Sequence, residues 1–229
     1  MSNSNLRLYR TREAADANGI ASRLMDIVVA ASALLLFAPV MMIIAFALWI
    51  EGGRPIFFSQ TRIGKGRRPF SMYKFRKFSP TCGVTGCPVT IAGDDRFTAV
   101  GRILAATKLD ELPQLWNVLK GDMAIVGPRP ESMAFADCFR NGFERVLDHK
   151  PGLLGPSQIL FRNEGALYPK DADPAGFYRE VLFPEKARLD LSYFPYRTLS
   201  SDIVWIVRGG LAVIGLVPRS VSGIVRSER

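Results

Sequence analysis

The sequence predicts a mostly α protein with one small β-hairpin, held on a single face of a membrane by an N-terminal re-entrant segment of the helix-break-helix kind. Three observations carry this. Residues 27–50 contain no charged side chain, a run long enough to cross a bilayer core of ~30 Å. Basic residues flank the run on both sides: Arg7, Arg10, Arg12 and Arg23 before it, and Arg54, Arg62, Lys65, Arg67 and Arg68 after it. Pro39 stands in its middle, where it removes a helical hydrogen bond and favours a bend. A spanning helix places its positive loop on one side only, whereas a segment that bends and returns keeps both basic flanks together.

Composition limits the partners. The chain has 229 residues and a formal net charge of +9, enough for one domain with a real core and biased toward an anionic partner. No nucleic-acid-binding motif accompanies the charge, so nucleic acid is excluded in favour of anionic membrane headgroups. The three cysteines are an odd number, which argues against a disulfide framework and for a reducing compartment. Cys82 and Cys87 do not have the spacing of a zinc pair.

In chain order, residues 1–5 are polar and read as unstructured. Residues 56–62 and 69–75 alternate as two short strands around Gly64-Lys65-Gly66, a hairpin with a basic tip. Residues 79–96 are rich in Pro and Gly and read as loop, without the spacing of a phosphate-binding glycine loop. Residues 131–150 read as a helix interrupted near Gly142, with Phe135, Cys138, Phe139 and Phe143 inward. Ser200-Ser201-Asp202 reads as the cap of a last helix, broken at Arg208-Gly209-Gly210 and lying in the interface. His149, the only histidine, sits in a turn without a nucleophile pattern around it.

The chemistry concentrates between Thr107 and Pro130. Leu112, Leu115, Trp116 and Leu119 follow i, i+3, i+4, i+7, one apolar helix face. Pro113 suits a first turn and Gly121 a stop, which puts Asp110 and Glu111 at a helix N-terminus, where anions are favoured. Taken alone, such a pair most often only caps. Gly127-Pro128-Arg129-Pro130 then adds a rigid turn whose guanidinium suits bidentate phosphate binding.

Leu109-Asp110-Glu111-Leu112-Pro113-Gln114-Leu115-Trp116-Asn117-Val118-Leu119-Lys120-Gly121-Asp122-Met123 with Gly127-Pro128-Arg129-Pro130 resembles the signature of the bacterial sugar transferases, the monotopic phosphoglycosyl transferases. The resemblance extends more thinly over residues 23–215. It implies transfer of a sugar-1-phosphate from a nucleotide diphosphate sugar to polyprenyl (undecaprenyl) phosphate, the first membrane step of a polysaccharide or glycoconjugate pathway. The expected site is residue by residue a nucleophilic Asp110, which forms a covalent phosphosugar intermediate, and Glu111 beside it. Both would hold Mg²⁺. Lys74, Arg76, Lys108 and Arg129 would bind substrate phosphates. The implied organisation is a basic segment 1–22, a re-entrant helix 23–51 and a cytosolic transferase domain 52–229, on the cytoplasmic face of the bacterial inner membrane; a homodimer is left open. Two departures stand out: Ala38-Pro39 replaces the family's Ser-Pro break, and Ala105 replaces an arginine five residues before Asp110. The second raises an alternative, a non-catalytic membrane scaffold of the same kind of pathway. If the protein is an enzyme, Lys108 is expected to carry part of the missing charge.

Overall fold

The computed structural model describes residues 3–79, 90, 94–169, 171–213 and 216, with side chains from residue 19 onward. Cys82, Cys87 and most of the expected loop therefore lie outside the described residues.

A single helix, α1 (Asn3–Gly52), opens the chain. It is already helical at Asn3 and runs through residue 22 without a boundary, so the basic segment is the first part of the helix and not a separate tail. The expected break at Ala38-Pro39 is not a loop: Pro39 lies inside the helix, with helical residues on both sides. Both ends of the uncharged stretch of α1 are fastened to the same domain. Just before that stretch, Arg23 donates to the carbonyls of Val118 and Leu119 at 2.7 and 2.8 Å, and the Asp26 carboxylate accepts from the Ile125 N–H at 2.8 Å. Near its end, Glu51 accepts from the Val100 N–H at 2.9 Å. Between these points the helix runs about 42 Å along its own axis, with Ala30, Ile44 and Leu48 packed inward. Its other face is bare, and most so near the middle, where Leu35 is 80% and Leu36 71% exposed.

Strands β1 (Phe57–Ile63) and β2 (Pro69–Phe75) form the antiparallel hairpin, with Phe57 opposite Phe75 and Ile63 opposite Pro69. The basic tip does not simply face solvent: Arg67 donates to the Phe139 carbonyl at 2.6 Å. Helix α2 (Ala99–Thr107) is capped by Thr98, whose hydroxyl accepts from the Gly101 N–H. A 3₁₀ turn over Leu109–Glu111 follows, then α3 (Gln114–Lys120), stopped by Gly121 at φ +92°.

A second, unexpected sheet joins β3 (Ala124–Val126) in parallel to β4 (Gly152–Leu154). Here Gly127 and Gly152 touch backbone to backbone: a Cβ on Gly152 would fall 2.1 Å from the Gly127 nitrogen. No side chain fits, which is why both turns carry glycine. Residues 131–150 are not α-helical. They form two 3₁₀ pieces, Met133–Cys138 and Phe143–Asp148, separated by Asn141 and Gly142 at positive φ. The inward faces are as expected, with Phe135, Cys138 and Phe139 buried.

The C-terminal half adds α4 (Pro156–Leu160), α5 (Pro174–Phe177), a π turn over Tyr178–Leu182, α6 (Phe183–Tyr193) and α7 (Leu199–Val213). Phe135, Phe139, Tyr178, Leu182 and Phe183 build its core together with Ile63 of the hairpin. Helix α7 starts on a reciprocal cap, Thr198 with Ser201, while Asp202 is fully buried and paired with Arg197. Arg208-Gly209-Gly210 does not break α7; Gly209 lets it close on Leu154, where a Cβ would meet the side chain at 2.7 Å. Ile203, Val204 and Val207 remain exposed on α7.

Candidate active site

The site forms where β2, the Leu109–Glu111 turn and the Gly-Pro-Arg-Pro turn converge. Lys74, buried near the end of β2, bonds Glu111 at 2.8 Å. Together with Arg62, Gln114, Arg129 and Gln158 they line a narrow cleft. Arg129 is aimed there by its neighbours: Gln158 donates to the Gly127 and Gly152 carbonyls at 2.9 and 3.1 Å and staples the two turns together. Among the described residues the Arg129 guanidinium makes no hydrogen bond or ion pair. Burial alone would push its pKa down, but Glu164, Glu111 and Glu131 around it hold it above the ordinary arginine value. Behind it Lys186, 3% exposed, bonds Glu164 at 2.9 Å and Tyr178 at 3.0 Å and lies 3.7 Å from Glu131.

Asp110 and Glu111 differ sharply. Burial pushes Glu111 up, yet Lys74, Arg129 and Lys108 outweigh it and hold the carboxyl well below its usual range. Asp110 is only 2% exposed, and its Oδ1 has no hydrogen-bond partner. Burial raises its pKa, with the opposing cations Lys74, Lys77 and Lys108 not fully offsetting this. The expectation that Asp110 and Glu111 open the helix of the apolar face does not hold. The turn carrying the pair is separate from α3, which begins at Gln114 behind Pro113, and among the described residues no backbone N–H bonds the Asp110 Oδ1. Charge from lysines replaces the helix dipole as the stabilising field.

The remaining expected residues divide. Lys108 takes a left-handed conformation, φ +64°, between α2 and the turn, and its charge acts on both carboxylates. Arg76 is engaged elsewhere. It is 5% exposed and donates to the carbonyls of Leu48 at 2.9 Å and of Gly52 and Gly53 at 3.3 Å. Those carbonyls lie in the last turn of α1 and just past it, so the guanidinium holds the end of the helix. Arg76 is a clamp on the helix, not a free phosphate ligand.

Two residues escaped the sequence reading. Asn117, with no exposed surface, ties the site to the hairpin: it donates to the Ser71 carbonyl at 2.7 Å and accepts from the Tyr73 N–H at 3.0 Å. Trp116, expected inward, is 54% exposed instead. Lys77 is the other omission; its position three residues after Lys74 was the only available sign.

The chain belongs to the bacterial sugar transferases, whose family model matches residues 17–215. Among similar proteins is an Aeromonas hydrophila UDP-N-acetylgalactosamine-undecaprenyl-phosphate N-acetylgalactosaminephosphotransferase, 39% identical over 152 residues, which are 65% of this chain and 35% of that one. A UDP-glucose:undecaprenyl-phosphate glucose-1-phosphate transferase of Caulobacter vibrioides is 44% identical over 142 residues, 60% of this chain and 52% of the relative. The protein of that same name from Escherichia coli strain K12 is 41% identical over 145 residues, 62% of this chain and 31% of the relative. The matched region thus spans about a third to a half of these relatives.

Proposed function

We propose that this protein transfers a sugar-1-phosphate from a nucleotide diphosphate sugar to undecaprenyl phosphate. The observation that carries the reading is a buried carboxylate with an unpartnered oxygen, Asp110, set among cations in a chain of this family. A buried polar atom without a partner is a cost that folding alone does not explain.

In the proposed reaction an Asp110 carboxylate oxygen attacks the sugar-bearing phosphorus. The bond to the nucleoside monophosphate breaks, and its electron pair leaves with that group. An oxygen of undecaprenyl phosphate then attacks the same phosphorus, the aspartyl bond breaks, and the carboxylate is restored. Lys74 and Arg129 line the cleft and would bind the diphosphate oxygens, Arg129 with both prongs free. Asp110 and Glu111 fit Mg²⁺ as the pair of carboxylates that accompanies substrate phosphates at such an ion. When bound, the ion neutralises charge on the leaving phosphate. Among the described residues no three His, Cys, Asp or Glu side chains gather into an all-protein metal cage.

We further infer that α1 enters the membrane from one side and does not cross it. A domain on one face of a bilayer cannot hold both ends of a spanning helix, and Arg23 and Glu51 are both held here. The bare middle of α1 around Leu35 and Leu36 would then meet lipid from the cytoplasmic side.

The test is release of nucleoside monophosphate from a panel of UDP-sugars with undecaprenyl phosphate. Wild type is expected to turn over at least one donor, and Asp110→Asn to lose about a thousandfold or more in rate. An unimpaired Asp110→Asn enzyme overturns the nucleophile. No release from any donor leaves the scaffold as the function.

A further inference from the structure

Lys77 lies just beyond β2, and its main chain is fixed against the start of α2. Its carbonyl accepts from the Thr98 N–H at 3.1 Å and lies so near Gly101 that a Cβ there would come within 1.9 Å. Its ammonium rests 5.3 Å from the centre of the Phe78 ring and 5.4 Å from that of Phe97, two rings themselves 5.0 Å apart. Aromatic support orients a flexible lysine without using its N–H donors. Among the described residues the ammonium makes no hydrogen bond or ion pair. Its charge nevertheless acts on Asp110 and Glu111 and is opposed by Lys74 and Lys108, so it lies within the same charged cluster. Lys77 also acts on Asp94, but that carboxylate is paired with Arg96. Three lysines thus surround Asp110 and Glu111, and among the described residues only Lys74 of the three is ion-paired. The surplus positive charge and the free donors call for an anion at Asp110.

We propose that Lys77 is a phosphate-binding residue of the transfer site, its ammonium held on the Phe78–Phe97 ring pair and contacting the phosphoryl group presented to Asp110. This rests on the transferase reading above. It also accounts for Ala105. Gly101 and Ala105 are one turn apart on the same face of α2, and the Lys77 main chain packs on Gly101, so a long cationic side chain from position 105 would project from the face of α2 that Lys77 adjoins. The cation that α2 lacks is supplied from the neighbouring strand end.

The experiment compares wild type, Lys77→Met, Lys77→Arg and Lys77→Met/Ala105→Arg, each checked for an unchanged thermal midpoint in detergent. The readouts are kcat and KM with UDP-glucose and UDP-N-acetylgalactosamine, and equilibrium binding of the same two compounds. Lys77→Met is expected to lose about tenfold or more in kcat/KM, the scale of one lost charge-assisted hydrogen bond. Lys77→Arg is expected to keep most of the activity, and Ala105→Arg to restore most of what Lys77→Met removes. Wild-type kinetics in Lys77→Met overturn the proposal. So does a loss that neither Lys77→Arg nor Ala105→Arg repairs, which marks a packing role. If wild type turns over neither donor, the transferase reading falls separately, and donor binding still decides Lys77: an affinity unchanged by Lys77→Met overturns it.

Discussion

Asp110, Glu111 and Lys77 show how burial sets opposite demands on neighbouring groups. Burial pushes both carboxyls toward neutrality and both nearby lysines, Lys77 and Lys108, toward loss of their proton. Glu111 escapes because its ammonium partner is in direct contact, while Asp110 has charge around it but no bond. Lys77 is pushed down to about 8 by burial and Lys74, with Lys108 adding to this and Asp110 and Glu111 opposing it. Lys77 is therefore a cation below about pH 8 and neutral above it. Since only the cation binds phosphate, kcat/KM should fall as pH rises through this value. In Lys77→Arg that alkaline limb should be absent, because a guanidinium keeps its proton. A pH profile identical in the two proteins would assign the limb to another group.

At the scale of elements, the ends of α1 explain the roles of two arginines. Arg23 bonds the final carbonyls of α3, and Arg76 those of α1 itself. Each bonds carbonyls in the last turn of a helix, and each joins α1 to the domain. Arg76→Met should therefore cost about 2–3 kcal/mol of stability, the scale of charge-assisted bonds to partners that stay buried. The folded fraction should keep wild-type kcat and KM. Thermal unfolding in detergent together with kinetics per folded molecule checks this. A raised KM with an unchanged melting midpoint would return Arg76 to the phosphates. Lys74→Met, two residues earlier, should behave oppositely, losing activity more than stability, because its partner is Glu111 in the cleft.

For the whole molecule, the one-sided topology proposed above rests on the attachment of α1 to one domain at both Arg23 and Glu51. Single cysteines at Gly19 and Gly66, in a background without Cys82, Cys87 and Cys138, should both resist an impermeant thiol reagent in intact cells. Both should react after permeabilisation. Labelling of the Gly19 site alone in intact cells would mean that α1 crosses the bilayer.

What could be read along the chain was whatever local patterning and contiguous signature carry. The uncharged run of α1, the alternating hairpin, the Gly121 stop and the Asp110-Glu111 pair all lie in short stretches whose side chains act on near neighbours. The convergence of Lys74, Glu111 and Arg129 was legible only through the family signature, since they sit on three different elements. The structure decided the rest. Trp116 faces out and Asn117 in, because the hairpin packs on the side of α3 that offers an amide to the Ser71 and Tyr73 backbone. Residues 131–150 wind as two 3₁₀ pieces, divided by the left-handed Asn141 and Gly142. Arg76 turns to the end of α1 and Lys77 to the Phe78–Phe97 ring pair. Sequence determines which residues carry charge and where helices can end. Which open carbonyl or carboxylate lies within reach of each charge depends on elements far apart in the chain, and packing alone brings those together.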